Sequence, residues 1–291
     1  MKIEAINITK KYGQKEALKD LSMVIEENKI YGLLGKNGAG KTTFMQLLAG
    51  HILPTSGKVL VDGQDPFNNR NVLRDMCLIS ESSNFKKRLK IKDVLKISSL
   101  FYPNWSQESA DRLLKEFNLE KSMNTKGLSK GMESALGITI GLASRAKITI
   151  FDEPYIGLDA SARYKFYDLL LEEYEENPRT FILSTHLIDE VSRLFEEVIL
   201  LRDGELLLQL QAEDMREKSI LVSGKSEVVE EYSKGKNVIR ETSMMGRKTV
   251  MLFGEVYNLT EARELGLEAE RGNIQELMVH LSEHTGGAVH V

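Results

Sequence analysis

A single cysteine, Cys77, stands in 291 residues, so no disulfide can close within the chain, which fits a reducing compartment. No apolar run approaches the roughly 18 residues that a bilayer-spanning helix requires. The opening stretch MKIEAINITKKYG alternates apolar and polar residues and carries no hydrophobic leader core, so no signal peptide is expected. If the chain acts at a membrane, it does so through a partner. A formal net charge of −4 gives no general attraction for nucleic acid, and none is expected as a partner. No internal repeat and no low-complexity tract is visible. What is present, 42% hydrophobic and 28% charged residues, is ordinary for a globular chain. Its length suggests about two domains and is ample for a buried core.

Periodicity organises the chain into three regions. IEAINIT and LKDLSMVIEEN alternate as strands, with KKYGQKEA read as the loop between them. IYGLLG, ending at Gly35, is a short apolar run of buried-strand type. A helix is expected from Lys41 to about Ala49, and strands at KVLVDG and MCLIS. From about residue 82 to 146 the pattern turns helical, in IKDVLKISSLFY, SQESADRLLKEFNL and KGMESALGITIGLAS. Strands return in KITIFDEP, RTFILSTH and EEVILLRDGELLLQLQ. This predicts an α/β core with a mainly parallel sheet, split by a helical insertion. The expected domains are 1–211 and 212–291. The second is a small α+β appendage with strands SILVSG and KTVMLFGE and helices KSEVVEEYSKG and NIQELMVHLSEH. The last of these sets Ile274, Leu277, Met278 and Leu281 on one face, which either packs on its own sheet or also touches a second subunit.

The chemistry concentrates in GKNGAGKT, Gly35 to Thr42, which fits G-x-x-x-x-G-K-[ST]. Glycines let backbone N–H groups curl around phosphate oxygens, and the following helix offers its positive end. Lys41 supplies a cation for the β- and γ-phosphates, and Thr42 a hydroxyl for Mg²⁺. Asn37, Gly38, Gly40 and Thr43 complete the expected nucleotide cradle. ITIFDEP ends a buried strand in two carboxylates, a costly place unless they bind something. Asp152 is the expected metal ligand and Glu153 the general base. Alone, two acids there also read as a helix cap. His186 ends RTFILSTH and gains a phosphate-sensing role only beside the other motifs. GLSKGM places Ser129 as a helix N-cap beside Gly131, again an ordinary cap or an anion site.

The order of these motifs resembles the nucleotide-binding subunit of an ATP-binding cassette (ABC) transporter, over about residues 1–210. GKNGAGKT resembles that family's Walker A, LSKGM its LSGGQ signature, ITIFDEP its Walker B with the catalytic glutamate, Gly157 to Asp159 its D-loop, and His186 its switch histidine. Tyr12 stands where the family stacks an aromatic ring on adenine. The resemblance implies a P-loop NTPase fold, ATP with Mg²⁺, and two subunits packed head to tail, expected to be a homodimer. In that arrangement Ser129 and Gly131 touch the γ-phosphate held by the partner. It also implies a separate transmembrane subunit and a place on the cytoplasmic face of the membrane. Lys130 and Met132 depart from the signature; Lys130 either adds a cation near that phosphate or points to solvent. The family's Q-loop glutamine aligns with Glu81, whose carboxylate can also serve Mg²⁺. NFKKRLKIK with Phe101, Tyr102 and Trp105 is a solvated face, a groove for the transmembrane partner, or a lipid-headgroup contact.

The pattern looks like bacterial exporters of drugs or of antimicrobial and amphipathic peptides, phenol-soluble modulins among them. The alternative is a soluble cassette ATPase of translation or DNA repair, though those usually carry two cassettes or a long coiled coil. A nucleotide-gated scaffold without turnover is a third class, against which Glu153 argues.

Overall fold

The computed structural model describes residues 1–80, 85 and 88–283. From the start of the chain come β1 (Ile3–Tyr12), β2 (Lys15–Ile25), β3 (Ile30–Leu34), α1 (Lys41–Leu48) and β4 (Ser56–Val61). β1 pairs antiparallel with both β2 and β4 and makes a three-stranded sheet of its own. The expected loop at 10–17 is instead the end of this hairpin: Tyr12 pairs with Lys15, and only Gly13 and Gln14 turn. Its side chains are mostly exposed and polar, so cross-strand pairs hold it, including Lys11 to Glu16 at 2.5 Å. Burial patterning cannot reveal a strand that buries so little.

The chain continues through α2 (Arg70–Leu73), β5 (Met76–Ile79), α3 (Ile91–Phe101), α4 (Gln107–Glu116) and α5 (Lys130–Ala143). β6 (Ile148–Asp152), α6 (Ala160–Glu176), β7 (Thr180–Ser184), α7 (Ile188–Val191), β8 (Glu197–Arg202) and β9 (Glu205–Gln211) follow. The central sheet has the order β5-β6-β7-β3-β8-β9, parallel from β5 to β8 and antiparallel at β9. β3, β6 and β7 are buried at every position, as inner parallel strands covered on both faces must be. α3, α4 and α5 form the expected helical insertion, and α5 packs on β5 and β6. The insertion is tied down by charge: fully buried Glu173 of α6 accepts from Ser109 Oγ and from Arg112 at 3.0 Å, both on α4. Arg179, 3% exposed, lies 3.8 Å from the same carboxylate, and burial lowers its pKa to about 10. A buried carboxylate is tolerated only with such partners.

The remaining elements are α8 (Ala212–Glu217), β10 (Ser219–Lys225), α9 (Ser226–Ser233), β11 (Val238–Met244), β12 (Arg247–Phe253), α10 (Leu259–Glu264), β13 (Glu268–Arg271) and α11 (Ile274–Glu283). They build an antiparallel sheet of order β11-β12-β10-β13. Along β12, Val250 and Leu252 enter a core with Val229 and Ala262 from α9 and α10. The alternate residues, Met251 and Phe253, join the main core with Ile274, Leu277, Met278 and Leu281 of α11 and with Val191 and Leu194. Period-two alternation thus buries both faces of the strand. The apolar face of α11 is used up between this sheet and the α7 segment, where Arg202 also donates to Leu281 O at 3.1 Å. That face therefore packs within one chain. No helix among the described residues is long and apolar enough to cross a membrane.

Candidate functional site

β3 delivers the phosphate loop to the C-terminal edge of the parallel sheet, where α/β folds bind ligands. At Gly40, φ is 104°, and a Cβ would stand 2.7 Å from Ala17 O, so glycine is required twice over, by conformation and by space. Lys41 follows as the first residue of α1 and is 7% exposed. Its ammonium donates to Gly35 O at 2.7 Å and more weakly to Lys36 O at 3.4 Å. Burial pulls the Lys41 pKa below the usual lysine range, against the opposing pull of Glu153 and Asp152. The lysine is thus a largely desolvated cation beside two carboxylates, at the mouth of a helix N-terminus.

The sheet register sets the acids. Asp152 at the end of β6 pairs directly with Ser184 at the end of β7, and Ser184 pairs with Leu33 of β3. Asp152 Oδ1 accepts from Ser184 Oγ at 2.7 Å, while its Oδ2 accepts from Thr42 Oγ1 at 2.8 Å. Two hydroxyls therefore fix both oxygens of a carboxylate that is 6% exposed. Thr42 and Asp152 offer the hard oxygens that a magnesium ion takes. Among the described residues no group of three His, Cys, Asp or Glu side chains is placed to hold a metal. A metal at this pair would therefore draw most of its ligands from phosphate and water, which is the habit of Mg²⁺.

Glu153 leaves the strand with φ 51°, a left-handed conformation that costs a non-glycine residue of the order of 1–3 kcal/mol. Its N–H is caught by Ser184 Oγ at 3.0 Å. Its Oε2 accepts from the Tyr155 hydroxyl and lies 2.7 Å from His186 Nδ1. The phenol oxygen of Tyr155 in turn accepts from Thr185 Oγ1 and from the His186 backbone N–H, both at 3.0 Å. Tyr155 is 4% exposed; burial first, and then the Glu153 carboxylate, push its pKa far above the usual tyrosine range, so it remains a donor. Glu153 and His186 are therefore joined directly and through one phenol.

One open cleft of about 510 Å³ gathers most of the expected residues: Tyr12, Asn37, Gly38, Gly40, Lys41, Thr42, Thr43, Asp152, Glu153 and His186. Gly35 lies at the base of the loop, as the acceptor for Lys41. Tyr12 is 49% exposed at the hairpin end, on the rim. Ser129, Gly131 and Asp159 are elsewhere. They line a separate cleft of about 350 Å³ with Gly157. Ser129 caps α5 by accepting from Met132 N at 3.2 Å, and Asp159 caps α6 by accepting from Ala162 N at 2.8 Å. A Cβ on Gly131 would stand 2.4 Å from Gly157 O, so the signature and D-loop segments pack backbone to backbone. Lys130 is exposed, and Glu81 lies outside the described residues. Sequence reasoning missed Tyr155, Ser184 and Thr185. Their signal was faint: a tyrosine just past the strand-ending proline, and two hydroxyls closing an apolar strand before His186.

The ABC transporter family model matches residues 18–156. The bacitracin transport ATP-binding protein of Bacillus licheniformis is 30% identical over 222 residues, spanning 75% of this chain and 72% of that protein. The lantibiotic transport ATP-binding protein of Streptococcus pyogenes is 31% identical over 206 residues, 70% of this chain and 88% of the relative. Among solved structures, a dimeric bacterial ABC transporter cassette superposes with a TM-score of 0.64 at 26% identity, covering 72% of this chain and 98% of that one. With a phosphate loop, paired acids and a histidine in one cleft and a signature helix in another, the chain belongs to the ABC transporter family, as an ATP-binding and ATP-hydrolysing subunit.

Proposed function

We propose that this chain drives an exporter of antimicrobial or amphipathic peptides, hydrolysing ATP at the interface of two identical cassettes on the cytoplasmic face of a membrane. Residues 1–211 act as the cassette and 212–291 as an accessory unit. In this reading ATP lies in the phosphate-loop cleft, its adenine against Tyr12 and its phosphates on the loop from Gly35 to Thr43. Lys41 meets the β- and γ-phosphates. Thr42 and Asp152 would hold Mg²⁺, which would supply neutralisation of the phosphate charge. Glu153 takes the proton of the attacking water, and His186 steadies the γ-phosphate. Ser129 and Gly131 of one copy close over the nucleotide of the other, with Asp159 beside them.

The observation that carries the reading is the division of the expected residues between two separate clefts of one chain. A second copy is the simplest way to bring the two together. The peptide-exporter reading is supported by the bacitracin and lantibiotic relatives. A separate transmembrane subunit is supported by a groove of about 850 Å³ lined by Arg70, Leu73, Arg74, Leu100 and Phe101. Leu100 and Phe101 are 78% and 67% exposed there, as a docking surface for an apolar helix requires.

Affinity purification from detergent-solubilised membranes tests the partner. Recovery of an integral membrane protein, lost on Phe101→Glu with Leu100→Glu, is the expected result; recovery of ribosomes instead would place the chain among soluble cassette ATPases. Size exclusion of the Glu153→Gln protein with Mg-ATP tests the pair, and a persistent monomer would count against it.

A further inference from the structure

The hydroxyl of Tyr155 belongs to no motif, yet it sits at the centre of the hydrolytic groups. It has one hydrogen and two acceptor lone pairs. Both lone pairs are used, by Thr185 Oγ1–H and by the His186 backbone N–H, each at 3.0 Å. The hydrogen goes to Glu153 Oε2. The His186 Nδ1 atom lies 3.1 Å from the phenol and 2.7 Å from Glu153 Oε2. With the phenol hydrogen committed to Glu153 Oε2, an Nδ1–H of His186 has that same carboxylate oxygen as its acceptor. The phenol and the imidazole thus share Oε2.

We propose that Tyr155 is the positioning residue of the hydrolytic site, holding Glu153 and His186 in one fixed arrangement through its buried hydroxyl. The inference rests on the reading of Glu153 as general base. Three features support a built device. The ring is T-shaped against His186 at 5.5 Å, so it restrains the imidazole by contact as well as through the hydroxyl. Glu153 has an unfavourable backbone conformation that fixed partners must sustain, and the phenol is one of them. The phenol also holds the His186 backbone, so one hydroxyl couples the β6 and β7 strand ends. Lys41 and Thr42, the groups proposed to meet the nucleotide's phosphates and Mg²⁺, make the bonds described for them to the loop and to Asp152 rather than to Tyr155.

The prediction separates binding from turnover. Tyr155→Phe keeps the ring and removes only the hydroxyl. Steady-state ATPase assays of the full chain should show kcat lowered about 10-fold, the worth of one hydrogen bond to a charged group, with KM unchanged within about twofold. On a Glu153→Gln background the same substitution should change the residual rate less than about twofold, because the group it positions is gone. Thr185→Val, which removes one donor to the phenol, should lower kcat in the same direction by a smaller factor. It serves as the second probe if Tyr155→Phe lowers the melting temperature enough to disturb the assay. If Glu153→Gln cripples turnover while Tyr155→Phe and Thr185→Val leave kcat unaltered, the positioning role is wrong and the base stands. If Glu153→Gln itself leaves turnover intact, the assignment of the base has failed instead. A rise in KM with kcat unchanged would make Tyr155 a binding residue and overturn the proposal.

Discussion

The two clefts of this chain are built in opposite ways. The phosphate-loop cleft is dense in charge and constraint: a desolvated lysine, a carboxylate held by two hydroxyls, and a glutamate joined to a histidine and a tyrosine. The signature cleft holds two helix caps, close glycine backbones and no buried ion pair among its described residues. The first has the parts for chemistry and binding. The second has helix N-termini, which suit an anion but cannot activate a water. On the proposed function the reaction belongs to one cleft and its completion to the other, and substitutions in the two clefts should fail in different ways.

The largest expected effect is on the chemical face. Glu153→Gln should cut kcat by roughly 10²–10⁴-fold, as loss of a general base does, while ATP still binds. Single-turnover assays with a nucleotide-binding titration check both halves; full turnover in the variant would erase the contrast between the clefts. Next comes Lys41→Ala, which on the proposed function removes charged hydrogen bonds to phosphate worth about 1.5–3 kcal/mol, or roughly a 10- to 150-fold loss of ATP affinity. Its checking measurement is the ATP-induced rise in melting temperature, which should shrink in the variant at the same ATP concentration.

Ser129→Ala sharpens the comparison from the other side. It removes an N-cap, worth about 1 kcal/mol of local stability, and, on the proposed function, a hydroxyl that meets the partner's nucleotide. Turnover should fall about 10-fold through the closed pair, while ATP affinity of the isolated monomer at low protein concentration stays at the wild-type value. Equal losses in monomer binding would place the signature in the same site as the phosphate loop. The smallest effect is expected for Lys130→Gln: a two- to fivefold weakening of ATP-driven pairing, about 0.3–1 kcal/mol, that fades as salt screens it. Sedimentation at low and high ionic strength reads it directly. An unaltered pairing constant at both would leave Lys130 as a solvated side chain.

The phosphate loop was legible because its function is local: eight consecutive residues supply the turn, the cation and the hydroxyl. Asp152 was legible because it ends an apolar strand abruptly, and His186 because it follows one by two residues. Ser184 was hidden because its role comes from lying opposite Asp152 on the neighbouring strand, a register that involves residues 32 positions apart. Tyr155 was hidden for the same reason, since its partners Thr185 and His186 come from the segment directly after β7. The 17-residue α6 also escaped the periodicity reading, its buried positions being interspersed with exposed tyrosine and charge. The hairpin end at Tyr12 escaped because pairing, not burial, makes it a strand.

The sequence alone determined the kind of chemistry, since the residue types that cradle phosphate and activate water are few and their spacing is tight. It also determined that Ile274, Leu277, Met278 and Leu281 must be covered, because an apolar helical face left in water is costly. Only the tertiary structure decided what covers them, namely the C-terminal sheet and the α7 segment of the same chain. It likewise decided that Ser129 and Gly131 stand in a cleft apart from Lys41, and that one phenol joins Glu153 to His186. The reason is common to all three: a motif fixes the groups within a few bonds of one another, whereas strand register and helix packing fix groups that the chain itself holds far apart.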